Sequence, residues 1–190
     1  MKTYRNDTPS PEGAIQAKPV SLLMADDDPH EHLLVTMAAQ ALELPMTIGF
    51  VPDGSDLLLA LAEAHDVDNL PDAIVLDLRM PGFDGIRTLD ELAKHDVFKQ
   101  IPVVVFTSST RLEDEYAAYE SGAMSFETKP STFSGMETFL KKVMSFVASG
   151  NGFERDDELN AVLKLVSPDF ASDIEDVLLV EEIDLSDDAS

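Results

Sequence analysis

Four groups of polar side chains in this 190-residue chain are of types and spacings that could do chemistry. Asp26, Asp27 and Asp28 follow one short apolar run and Asp77 closes another. Thr107, with Ser108 and Ser109, closes a third, and Lys129 stands just before Pro130. If these acids converge, they cannot all ionise comfortably without a counter-charge. A hard cation resolves the conflict, and Mg²⁺ favours one or two carboxylates, several waters and a phosphate oxygen. A hydroxyl and an ammonium flanking a carboxylate near that ion can hold the equatorial oxygens of a transferring phosphoryl group. Positioning and charge neutralisation do most of the catalysis in that reaction class. Asp77 would be the nucleophile and would form an acyl phosphate, with the metal as template.

The elements around these residues must bring them together. Val20 to Ala25, Met46 to Val51, Ala73 to Leu76, Val103 to Phe106 and Ser125 to Thr128 read as short strands. Pro102 opens the fourth, where a proline is tolerated. Between them lie helical patterns: Leu33, Leu34, Met37, Ala38 and Ala41; Leu57 to Ala64; Ile86, Leu89 and Leu92; Tyr116 to Glu120, stopped by Gly122; and Phe133 to Val147. Strands alternating with helices predict an α/β fold, a doubly wound five-stranded parallel sheet with helices on both faces. In the flavodoxin-like order 2-1-3-4-5, the first and third strands are neighbours about 4.8 Å apart, and sites form beyond the carboxyl ends of the strands. Asp26, Asp27 and Asp77 then meet on one side, and Thr107 and Lys129 face them from the other.

At these residues the chain resembles a known family. Ala25-Asp26-Asp27-Asp28-Pro29, Leu76-Asp77-Leu78-Arg79-Met80-Pro81-Gly82-Phe83-Asp84-Gly85, Phe106-Thr107-Ser108 and Lys129-Pro130 look like the four signature blocks of the response-regulator receiver domain, in order, over residues 19–149. The resemblance implies that Asp77 is the phosphoacceptor and Asp27 the direct metal carboxylate. It implies that Asp26 acts on the metal from behind its direct ligands or through water, and that the Arg79 backbone carbonyl is a further ligand. Thr107 is then the switch hydroxyl and Lys129 the phosphate-binding cation. A cis peptide is common in the family at the place of Lys129-Pro130. Phe126 stands where a switch tyrosine is frequent, so it can rotate inward but offers no hydroxyl. Arg79 and Ser109 occupy positions that influence acyl-phosphate lifetime in the family.

Composition narrows the setting. The net charge is −24, and residues 151–190 alone carry 13 acids against two Lys/Arg. A field of that sign repels phosphate backbones, which argues against nucleic-acid binding. No apolar run approaches the roughly 20 residues that span a bilayer, the amino terminus does not read as a signal peptide, and there is no cysteine. These features predict a cytoplasmic protein. Residues 1–18 read as a flexible leader. Residues 150–190 read as an acidic, partly helical extension, with Leu159, Val162, Leu163 and Val166 at helical spacing. Asp28 reads as a helix cap, the methionines as packing, and Gly82 and Gly85 as turn residues. His30 and His32 lie two apart and so face different directions on a helix, which disfavours a shared metal.

Three functions compete. The first is a phosphorelay protein, phosphorylated by a sensor histidine kinase or phosphotransfer protein. Its output is contact with a downstream protein through the fourth helix, fifth strand and fifth helix, and a homodimer is compatible with it. Such a module catalyses only its own phosphoryl transfer and dephosphorylation, and is not a metabolic enzyme. The second is an aspartyl-phosphate hydrolase, which usually carries a general-acid aspartate where this chain has Arg79. The third is a receiver-like scaffold that binds its partner regardless of phosphorylation, which has no physical need for Asp27, Asp77, Thr107 and Lys129 together.

Overall fold

The computed structural model describes residues 19–149. The leader and the acidic extension expected on either side lie outside the described residues. Five strands, β1 (Val20–Ala25), β2 (Met46–Val51), β3 (Ala73–Leu76), β4 (Val103–Thr107) and β5 (Ser125–Thr128), form one parallel sheet in the order β2-β1-β3-β4-β5. Five helices connect and follow them: α1 (Pro29–Ala41), α2 (Gly54–Asp66), α3 (Gly85–Ala93), α4 (Leu112–Glu120) and α5 (Phe133–Ser149). A short 3-10 turn spans Phe98–Gln100. This is the flavodoxin-like α/β arrangement that the sequence predicts.

The central strands β3 and β4 are apolar on both faces because both faces are covered, whereas the edge strands β2 and β5 keep polar residues such as Thr47 and Glu127. Leu22, Met24, Val75, Val104 and Phe106 meet Val35 and Ala38 of α1 and Phe139, Leu140 and Val143 of α5. Their neighbours in sequence, Ala25, Ile74, Leu76, Val103 and Val105, point the other way, toward Leu57 and Leu61 of α2 and Leu89 and Leu92 of α3. Phe106 and Phe139 stack with ring centroids 4.0 Å apart. Each large side chain buried this way contributes about 1.5–3 kcal/mol relative to its exposed state.

Capping sets where the first three helices begin. Asp28, Asp53 and Asp84 precede α1, α2 and α3, and each side chain accepts a backbone N–H from the first turn: His30, Ser55 with Asp56, and Arg87. The Asp53 cap starts α2 at Gly54, three residues before the Leu57 expected from apolar spacing. Gly122 follows the end of α4 with φ +97°, a left-handed stop suited to glycine.

The predicted apolar stripe of α1 is corrected in phase. Leu33, Leu34, Met37 and Ala41 of that stripe are exposed; its Ala38 is buried, and Val35, outside the stripe, is the other buried residue. Spacing fixes the period of a helix face but not which residue points inward, and α1 is apolar on more than one side. Met37 therefore does not pack in the core, whereas Met24 and Met80 do.

Candidate functional site

The sheet register places the acids. Ala25 of β1 pairs with Leu76 of β3, so the next residue on each strand emerges at the same edge. The ladder carries one step further: the Asp77 N–H donates to the Ala25 carbonyl at 2.9 Å, and the Asp26 N–H to Val51 at 3.0 Å. One carboxylate oxygen from each of Asp26, Asp27 and Asp77 lies within 4.8 Å of the others. On the far side Thr107 pairs with Thr128, and the Lys129 N–H donates to the Thr107 carbonyl at 2.8 Å.

Asp26 is fully buried and Asp77 nearly so, while Asp27 is exposed. A buried carboxylate needs hydrogen bonds and an opposite charge. Asp26 accepts the Asp28 N–H at 2.9 Å and Asp77 accepts the Arg79 N–H at 3.1 Å, each through Oδ1. Their Oδ2 atoms share one ammonium: Lys129 Nζ is 2.7 Å from Asp26 and 2.8 Å from Asp77. Burial works against that ammonium, but the hydrogen bonds and charges of Asp26 and Asp77 outweigh it, so the Lys129 pKa sits above the ordinary lysine value. Three carboxylates against one ammonium leave the cluster with a surplus of negative charge.

A fourth acid, unremarked in the sequence, adds to it. Glu31 on α1 is half-buried, and its Oε2 is buried without a hydrogen-bond partner. Burial pushes the Glu31 carboxyl up; Lys129 opposes this, and Asp26, Asp28 and Asp77 reinforce it. All-oxygen donors with unsatisfied negative charge fit a hard divalent cation such as Mg²⁺. The arrangement can bind such an ion and present a buried carboxylate beside a lysine to a phosphoryl group.

Residues 22–141 match the sequence profile of the response regulator receiver domain. The chain belongs to this family. Receiver domains work in two-component signalling as partners of histidine kinases, are generally not classed as enzymes, and have an acidic pocket like that of Asp26, Asp27 and Asp77 at their phosphoacceptor site. Among relatives, the chain is 29% identical over 130 residues to the probable methanogenesis regulatory protein FilR2 of Methanothrix harundinacea, covering 67% of this chain and 83% of that protein. It is 30% identical over 135 residues to the response regulator Rre1 of Synechocystis sp., covering 68% of this chain and 53% of Rre1. It spans only 17% of the sensor histidine kinase CheAY of Helicobacter pylori. Among solved structures, the phosphorylated cyanobacterial phytochrome response regulator RcpA superposes with a TM-score of 0.63 at 25% identity, over 72% of this chain and 99% of RcpA. The response regulator Rcp1 in its Mn(2+)-bound form gives 0.58 at 26% identity, over 67% of this chain and 94% of Rcp1.

Thr107 is fully buried at the end of β4, and its Oγ1 accepts the Ser109 N–H at 3.3 Å. Phe126 is half-buried against the α2/α3 side of the core, and its N–H donates to the Tyr119 hydroxyl at 3.2 Å. Arg79 is exposed, and its side chain turns toward α4. The Lys129-Pro130 peptide is trans, not the cis form the resemblance suggested; the two isomers of such a bond differ by only about 0.5–1 kcal/mol in favour of trans. Asp28 caps α1 as expected. Gly82 is a turn residue with φ +83°, whereas Gly85 begins α3 and is needed for space. A Cβ there would lie 2.4 Å from the Asp77 carbonyl oxygen. His32 Nε2 lies 2.7 Å from the Asp26 carbonyl and its ring stacks on Phe50, which makes it a packing residue.

Proposed function

We propose that this protein accepts a phosphoryl group on Asp77 from a sensor histidine kinase or a phosphotransfer protein, and signals through protein–protein contact. An Asp77 carboxylate oxygen bonds to phosphorus as the bond from phosphorus to the donor breaks, leaving an acyl phosphate. Asp26, Asp27, Asp77 and the Arg79 carbonyl hold Mg²⁺, which supplies charge neutralisation to the acids and the incoming phosphoryl oxygens. Lys129 follows the charge as it moves from the carboxylate to the phosphoryl oxygens, and the Thr107 hydroxyl donates to one of them. Engagement of Thr107 biases the position of Phe126 and of the α4 region, a two-state element. The face formed by α4, β5 and α5 then meets the downstream partner.

The observation that carries this reading is the pair of buried aspartates sharing Lys129, with negative charge left over. The hydrolase reading gains no support. Arg79 follows Asp77 by two residues, and a guanidinium stays charged at working pH and cannot serve as the general acid. Nothing in the described residues favours the scaffold reading. No described helix is long and apolar enough to cross a membrane.

Incubation with acetyl phosphate and Mg²⁺ is expected to add one phosphoryl group, seen by intact mass, and none to the Asp77→Asn variant. Equal labelling of the two proteins would overturn the assignment. Partner capture on beryllofluoride-loaded protein compared with unloaded protein separates phosphorylation-dependent signalling from the scaffold: equal capture favours the scaffold.

A further inference from the structure

Helix α4 begins without a side-chain cap. Arg111 occupies the cap position and makes no capping hydrogen bond, and the first turn carries Glu113, Asp114 and Glu115. These three acids have different surroundings. Glu113 pairs with Arg111 in solvent, and Glu115 lies beside Glu127. Asp114 turns back toward the phosphoacceptor. Its Oδ2 accepts from Arg79 Nη2 at 2.7 Å and from the Ser109 hydroxyl.

Each of those donors is tied to the pocket at its other end. The Arg79 N–H donates to Asp77 Oδ1 at 3.1 Å. Ser109 is buried, its N–H donates to Thr107 Oγ1 at 3.3 Å, and its Oγ accepts the Arg111 N–H at 3.4 Å. Arg79 Nη2 also lies 3.5 Å from Ser109 Oγ. The contacts run without a break from Asp77 through Arg79, Asp114 and Ser109 to Thr107. Asp114 is the one member that comes from a helix, and it accepts from both loops. Hydrogen bonds to a charged group are among the stronger ones, and a shared acceptor removes rotamer freedom from two side chains together. The bonds from Ser109, and then from Arg79, hold the Asp114 carboxyl below the usual carboxylate range, so it is charged at neutral pH.

We infer that Asp114 is a positioning residue: through Arg79 and Ser109 it holds the β3–α3 and β4–α4 loops together beside Asp77 and restricts the approach of water to the acyl phosphate. The inference rests on the proposal that Asp77 is the phosphoacceptor. In the step it restrains, a water oxygen bonds to phosphorus, the bond from phosphorus to the Asp77 oxygen breaks, and the products are inorganic phosphate, the free carboxylate and a proton.

The test loads the full chain with acetyl phosphate and Mg²⁺, removes the donor, and follows loss of the phosphoryl group by intact mass. Asp114→Asn keeps the shape of the side chain and removes its charge. It is expected to speed the loss about fivefold, which at 1.36 kcal/mol per decade corresponds to about 1 kcal/mol. Asp114→Glu should restore most of the lifetime, and Arg79→Ala combined with Asp114→Asn should decay no faster than Asp114→Asn alone. Ser109→Ala deletes the hydroxyl arm, should act in the same direction, and carries the test should Asp114→Asn not fold. Decay at or below the wild-type rate in these variants, or a double variant whose effect is the product of the two single ones, overturns the inference. A wild-type protein that takes up no phosphoryl group overturns the reading of Asp77, and the brace with it.

Discussion

Asp28, Asp53 and Asp84 stand at the same edge of the sheet as Asp26, Asp27 and Asp77, yet the two sets are in opposite electrostatic conditions. Each member of the first set precedes a helix and accepts backbone N–H groups of its first turn, at the positive end of the helix dipole. Their charge is satisfied locally, one acid per helix. The second set gathers at the ends of two neighbouring strands, where Asp26 and Asp77 share Lys129, Asp27 stands beside them, and the unpartnered oxygen of Glu31 lies close by. Acidity alone therefore does not mark a site in this chain. What marks it is negative charge that the protein leaves unsatisfied in a buried place.

The largest effect should come from removing the lysine that Asp26 and Asp77 share. Lys129→Ala leaves Asp26 and Asp77 buried without their shared partner, and breaking a buried pair from one side costs about 3 kcal/mol. Urea unfolding in metal-free buffer measures it, and Mg²⁺ should recover part of the loss. A change below about 0.5 kcal/mol, the range of ordinary surface substitutions, would mean that the pocket acids are satisfied in some other way and would erase the contrast with the caps.

Next in size is the response to metal. If the surplus charge binds Mg²⁺ in the folded state only, saturation at a hundredfold excess over Kd stabilises the protein by about 2.7 kcal/mol. Thermal unfolding with and without Mg²⁺ should show this gain in the wild type, and most of it should vanish in Asp27→Asn. The corresponding cap substitution, Asp84→Asn, should keep the gain in full. A gain of equal size in all three would place the bound ion elsewhere.

Gly85 joins the two sets, because it follows the Asp84 cap and lies against the backbone of Asp77 and Leu78. A Cβ 2.4 Å from the Asp77 carbonyl oxygen meets backbone that cannot rotate away. Gly85→Ala is therefore expected to destabilise by about 2 kcal/mol through overpacking and also to slow phosphoryl uptake by displacing Asp77. A stable variant with wild-type uptake would show that α3 can shift without disturbing the pocket.

The sequence was most legible where burial leaves little choice. β1, β2, β3 and β5 have the bounds expected from the sequence, and β4 extends by one residue to Thr107; the pattern is plainest at β3 and β4, because central strands covered on both faces must be apolar along their length. The meeting of Asp26, Asp27, Asp77 and Lys129 followed from strand order and from the turn after each strand. The phase of α1 was not legible, because Leu33, Leu34, Val35, Met37 and Ala38 offer more than one apolar face and only the sheet beneath selects Val35 and Ala38. Glu31 and Asp114 were not singled out either. Among 37 acids nothing in the local sequence distinguishes them, and their surroundings depend on how α1 and α4 lie against the strand ends.

The smallest effect tests the satisfied side of the comparison. Asp53 accepts hydrogen bonds from Ser55 and Asp56 and sits outside the metal cluster. Asp53→Ala should cost about 1 kcal/mol, the usual value for a helix cap, with phosphoryl uptake unchanged. The Ser55 side chain first, and the Asp56 N–H after it, hold the Asp53 carboxyl below its ordinary pKa. Folded Asp53 therefore binds its proton more weakly than the unfolded chain does. The contribution of the cap is complete above the ordinary carboxylate value of about 3.9 and fades as pH falls through the lowered folded value. Urea midpoints of wild type and variant should differ steadily from pH 7 to about pH 5 and converge below about pH 4. Convergence already near neutral pH would mean that the cap acid is coupled to the pocket and that the two sets of aspartates are not independent.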